Sequence, residues 1–69
     1  MAYEDALPTA LRMERARLKK TQAQVADAIG ITAAALCNYE NGVTVPKLST
    51  LSRLADFYGA SMDSLLGRT

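Results

Sequence analysis

The 69-residue chain has no histidine, one cysteine, two prolines and four glycines, and its formal net charge is only +1. A single thiol cannot build an internal disulfide framework, and without histidine there is no ligand set for a metal such as zinc. The same shortage excludes the usual catalytic constellations. Cys37 has no base beside it, and the chain carries no nucleophile elbow and no glycine-rich cradle for a phosphate. No apolar run approaches the roughly 18 residues of a membrane-spanning helix. Residues 1–10, MAYEDALPTA, are acidic rather than the basic start of a secretion signal, which places the expected site of action in the cytoplasm. β-branched residues are too scattered to give alternating strands, so an all-α fold is expected. A chain this short buries only about 60% of the surface its unfolded form exposes, which implies one domain of modest stability. No cofactor and no small-molecule ligand is implied.

What the chain does have is helical punctuation. Thr21 suits the N-cap of a helix over Gln22 to Ile29, with Val25, Ala26 and Ile29 on one face. Gly30 follows the last apolar position, and Thr32 caps a second helix from Ala33 to about Asn41. A first helix is expected from near Leu7 or Pro8 to about Lys19, leaving residues 1–6 as a loosely ordered extension. Leu48, Leu51, Leu54, Ala55 and Tyr58 repeat at three- and four-residue steps and predict an inward-facing helix from Lys47 to Tyr58. Ser61 caps a last short helix with Met62, Leu65 and Leu66 turned inward. Positive charge is uneven. Arg12, Arg15, Arg17, Lys19 and Lys20 crowd one segment, Lys47 and Arg53 form another, and Thr21 to Pro46 has no lysine or arginine. Phe57, Met62 and Leu65, with Ser64 beside them, are read as a patch suited to self-association.

The order of these residues resembles the Cro and lambda-repressor-like helix-turn-helix family, also called the XRE family. The likeness covers Leu11 to Leu66. It rests on Leu11 and Arg15, then Thr21-Gln22, the turn from Ala26 to Gly30, Tyr39-Glu40-Asn41-Gly42, Pro46 with Leu48, Leu51, Leu54 and Ala55, and finally Gly59, Ser61, Met62, Asp63, Leu65 and Leu66. The resemblance implies a compact five-helix domain that binds a double-stranded DNA operator as a homodimer, usually to repress transcription. Ala33, Ala34 and Asn38, with Thr32, would then face base edges, and Lys20, Thr21, Gln22, Cys37, Asn41 and Lys47 would approach the DNA backbone. The positions matching Arg15 and Glu40 form a structural salt bridge in that family.

Two departures stand out. Ala33, Ala34 and Ala35 occupy places where relatives often carry glutamine, serine or arginine, and a methyl group cannot make bidentate hydrogen bonds to a base. It can touch only a thymine methyl, which leaves Asn38 as the side chain able to pair with adenine N6 and N7. Val43-Thr44-Val45 is apolar where relatives often place a cation, so Lys47 is the phosphate contact on that side. Each position also has a plainer reading: Asn38 and Gln22 as surface helix residues, Arg17 and Lys19 as a solvated helix end, Cys37 as a small ordinary residue. The alternative function is a protein-interaction module, of the antitoxin-partner kind, on a scaffold that has lost DNA reading.

Overall fold

Leu7 and Leu11 stand one helical turn apart, and so do Leu51 and Ala55; each row becomes the buried face of a helix. A computed structural model describes residues 3–67 of the chain, with side chains from Ala6 onward. It contains α1 (Tyr3–Arg17), α2 (Gln22–Ile29), α3 (Ala33–Glu40), α4 (Leu48–Tyr58) and α5 (Met62–Leu65). Among the described residues there is no strand. The helix α1 packs on α3 and α5, while α4 packs on α2 and α5, so α2 and α3 lean on each other across the top of an α1/α4/α5 support. The shared core is Leu7 and Leu11 of α1, Val25, Ala26 and Ile29 of α2, Leu36 of α3, Leu51, Leu54, Ala55 and Tyr58 of α4, and Leu65 of α5.

The first helix differs from the sequence expectation at both ends. It begins at Tyr3 and runs through Pro8, so residues 3–6 are helical, whereas Met1 and Ala2 lie outside the described residues. Pro8 therefore falls in the second turn, where its fixed φ is helical but it forgoes the amide bond to the carbonyl four residues back and crowds that carbonyl. The other end stops at Arg17 because Lys19 turns left-handed, at φ 55°. There the Lys19 amide donates to the Ala16 carbonyl at 3.0 Å and the Lys20 amide to the Arg15 carbonyl at 3.3 Å. That pairing satisfies two of the last carbonyls of the helix in the arrangement glycine usually provides.

Two residues expected elsewhere change places. Leu48, predicted to point inward, is 72% exposed, and Thr50 is buried instead. Leu48 is the first residue of α4, where a helical side chain leans back past the end of its own helix. Leu65, read from sequence both as an inward residue of the last helix and as part of a self-association patch, is 1% exposed within its own chain, so it belongs to the core beneath α1 and α4 and not to the patch.

Candidate nucleic-acid interface

Both helices of the central pair start on a threonine. The Thr21 hydroxyl accepts from the Gln24 amide at 3.1 Å, and the Gln24 side-chain oxygen accepts from the Thr21 amide at 2.8 Å. This reciprocal capping box satisfies two otherwise orphaned donors. Gly30 then ends α2 at φ 78°, a left-handed geometry that costs a residue with a Cβ roughly 1 to 2 kcal/mol. The Ile31 amide reaches back to the Ala26 carbonyl at 2.9 Å, and Arg53 Nη1 donates to the Ile29 carbonyl at 2.9 Å. Three residues separate α2 from α3, which begins with the Thr32 hydroxyl accepting from the Ala35 amide at 3.0 Å.

A helix started this way has a definite inside and outside. Leu36 and Glu40 are 0% and 1% exposed and fix α3 to the body. Ala33, Ala34, Asn38 and Asn41 are exposed on the other side, with Cys37 half-buried between them. The alanine side is therefore turned away from the rest of the chain.

The anchor of α3 is ionic. Arg15 Nε donates to Glu40 Oε2 at 2.7 Å and Arg15 Nη2 to Oε1 at 3.0 Å, a two-pronged contact between α1 and α3. Gln22 Nε2, on α2, donates to the same Oε1 at 3.1 Å, and Arg12 donates to the Glu40 main-chain carbonyl. One carboxylate thus ties three helices together. Burial alone would raise the Glu40 carboxyl, but the hydrogen bonds from Arg15 and Gln22 and the Arg15 charge outweigh it and hold the group below its ordinary range. Arg15 is held above its own ordinary value, chiefly by the same hydrogen bond.

The remaining predicted residues fall into distinct groups. Gln22, expected against a phosphate, is half-buried with its amide nitrogen engaged by Glu40. Asn41 Nδ2 donates to Cys37 Sγ at 3.3 Å, so these two are partnered with each other. Lys20, Thr21 and Lys47 are exposed, and among the described residues Lys19, Lys20 and Lys47 form no ion pair. Among the described residues, Arg12, Arg15, Arg17 and Arg53 are otherwise employed. Arg17 Nη2 donates to the Tyr58 carbonyl at 2.8 Å, which closes the end of α4 as Arg53 closes the end of α2. Phe57 and Met62 are half-buried, and Ser64 is exposed on an open groove between α1 and α5 that Ala6, Ala10 and Met13 also line. Sequence reasoning missed the Gln22, Arg17 and Arg53 contacts because each joins residues 18 or more apart.

A family model described as helix-turn-helix matches residues 11–65. The chain belongs to the helix-turn-helix family. That membership bears out the resemblance to XRE-type regulators read from residue order, and α2 and α3 form the helix-turn-helix pair. Over 58 residues the chain is 41% identical to the cryptic phage CTXphi transcriptional repressor RstR of Vibrio cholerae serotype O1, covering 84% of this chain and 52% of that protein. Over 59 residues it is 37% identical to the HTH-type transcriptional regulator AnsR of Bacillus subtilis, covering 83% of this chain and 51% of that one. The chain spans about half the length of these curated relatives. No solved structure matches this helix-turn-helix chain significantly. No described helix is long and apolar enough to cross a membrane.

Proposed function

We propose that the protein is a sequence-specific DNA-binding regulator of transcription, acting in the cytoplasm as a repressor rather than as a catalyst. The observation that carries this reading is the exposed outer face of α3, Ala33, Ala34 and Asn38, held out by a helix-turn-helix family scaffold. The names of the two relatives support the regulatory role. Each protomer of a homodimer inserts α3 into a major groove, with the two half-sites about 34 Å apart on a partly palindromic operator. Asn38 pairs with adenine through its amide, and Thr32, Ala33 and Ala34 lie against neighbouring bases. Phosphates sit at the starts of α2 and α4, where free amides and the helix dipole favour anions and where Thr21, Lys20 and Lys47 stand exposed. Gln22, Cys37 and Asn41 border that backbone through their main chain and remaining polar atoms.

Selection of bound duplexes from random DNA, followed by a salt titration of the selected site, tests this reading. If Lys19, Lys20 and Lys47 each neutralise one phosphate, log affinity falls by about 2.7 per log unit of salt for each protomer. Asn38→Ala is expected to weaken the selected site by about 1 to 3 kcal/mol while random DNA binds almost unchanged. Equal losses on both DNAs would remove Asn38 from base reading, and no complex even at low salt would favour the protein-interaction module instead.

A further inference from the structure

Part of the hydrogen-bonding capacity on the outward side of the helix-turn-helix is already engaged within the fold. The Thr32 hydroxyl oxygen already accepts from the Ala35 amide, the Gln22 amide nitrogen already donates to Glu40, and Asn41 Nδ2 already donates to Cys37. On the exposed side of α3 the first turn offers the methyls of Ala33 and Ala34, with the Asn38 amide one turn on and Thr32, which keeps its methyl and its hydroxyl hydrogen, at the edge. Ala33 and Ala34 are the first two residues of α3, and Asn38 follows one turn after Ala34. A surface of this composition distinguishes base pairs by the one apolar group that the major groove displays, the C5-methyl of a pyrimidine.

Resting on the DNA-binding reading above, we infer that Ala33 and Ala34 are specificity-determining residues that read pyrimidine C5-methyl groups, and that Asn38 supplies the one amide contact to an adjacent adenine. The preferred half-site carries thymines beneath the first turn of α3. Cytosine is refused there because it presents an N4 donor and a bare C5 to two methyl groups, which leaves the donor unpaired. Cytosine methylated at C5 regains the apolar contact. One buried methyl contributes about 0.8 kcal/mol, equivalent to about a fourfold change in affinity.

The test changes the DNA and leaves the protein intact. Duplexes selected from a random pool are footprinted, and each thymine is replaced in turn by deoxyuridine, which removes only the methyl. The expected result is a loss of about fourfold at each thymine under α3, and no change elsewhere in the footprint. In a second arm, a T·A pair under α3 is changed to C·G, and methylation of that cytosine at C5 restores about fourfold. Ala33→Gly and Ala34→Gly should shrink the deoxyuridine penalty, a ratio taken within one protein and so insensitive to any loss of folded molecules. Specific binding that is indifferent to deoxyuridine would overturn the methyl reading and leave the DNA-binding function standing. Failure to select any site from the pool would overturn both.

Discussion

Glu40 is 1% exposed, and its carboxylate is compensated mainly by Arg15, so Arg15→Met isolates the energetics of the three-helix junction. The methionine keeps an unbranched apolar stem, while the buried anion keeps only the Gln22 amide as a side-chain donor. Stranding a buried charge costs about 3 to 5 kcal/mol. A domain of 69 residues has a total stability of about 3 to 10 kcal/mol, so the loss consumes a large part of it. The melting temperature should fall by at least about 12 °C. The pH dependence carries the sharper test. In the parent, the folded Glu40 carboxyl lies below its ordinary 4.5, so its stabilisation is present above that value and is lost as pH falls through the folded one. In Arg15→Met, burial is opposed only by the Gln22 hydrogen bond and the Arg12 charge, so the folded carboxyl rises relative to the parent and the stabilisation at neutral pH shrinks. Urea unfolding from about pH 7 down to about pH 4 should show the gap between the two proteins narrowing steadily. Replacing Glu40 as well, in Arg15→Met with Glu40→Leu, should recover most of the loss, because an apolar pair of similar volume is often as stable as a buried ion pair. A gap below about 1 kcal/mol, or one that does not change with pH, would refute the assignment of Glu40 as a buried and charged anchor.

Lys19 sits at φ 55° without being glycine, so Lys19→Gly should stabilise the domain by about 1 kcal/mol in chemical denaturation; destabilisation would show that its side chain matters more than its backbone. The Tyr58 hydroxyl is buried and finds no partner among the described residues, so Tyr58→Phe should cost nothing and gain about 1 kcal/mol. Burial, aided by the Glu40 charge, pushes the Tyr58 phenol up from 10.0 to about 12. A raised value means the parent keeps this contribution below pH 10 and loses it as pH climbs through about 12, a loss that Tyr58→Phe should not share. For the proposed homodimer, Ser64→Arg adds a long cation to an exposed position on α5 and should halve the sedimenting mass without lowering helicity; an unchanged mass places the contact elsewhere.

The pair α2 and α3 was legible because local chemistry sets its limits. Thr21, Gly30 and Thr32 act on backbone groups within a few residues, so residue type and spacing suffice to place both helix starts and the turn. The apolar row of α4 was legible from periodicity, which reports which side of a helix is buried. Periodicity does not report where a neighbour ends. Leu48 satisfies the same three-residue step as the buried row, yet it stands beyond the region that any other helix covers, and Leu65 fits both an inward face and an outer patch until α1 and α4 are seen to enclose it. Candidate site residues were harder for a related reason. Gln22, Thr32 and Asn41 carry suitable groups, but a sequence cannot show that one polar atom of each is already used inside the fold.

If the proposed DNA binding holds, that prior use of polar groups accounts for its compatibility with a net charge of +1. Arginine's planar fork is suited to carbonyl and carboxylate oxygens, and Arg12, Arg15, Arg17 and Arg53 spend it on helix ends and on Glu40. Lysine, a hydrated point charge, is left outside at Lys19 and Lys20 before α2 and at Lys47 before α4. Each of those places adjoins a helix start whose own amides already attract anions, so a single charge there reinforces an existing field rather than creating one. The start of α3 has no such charge and no acidic residue in its first turn. A phosphate gains less there than at the other two starts, and the neutral end of α3 is the part free to lie against bases. On the proposed DNA-binding reading, the division of labour follows from where arginine is consumed: backbone attraction at the flanks, and a methyl-rich surface between them for the bases.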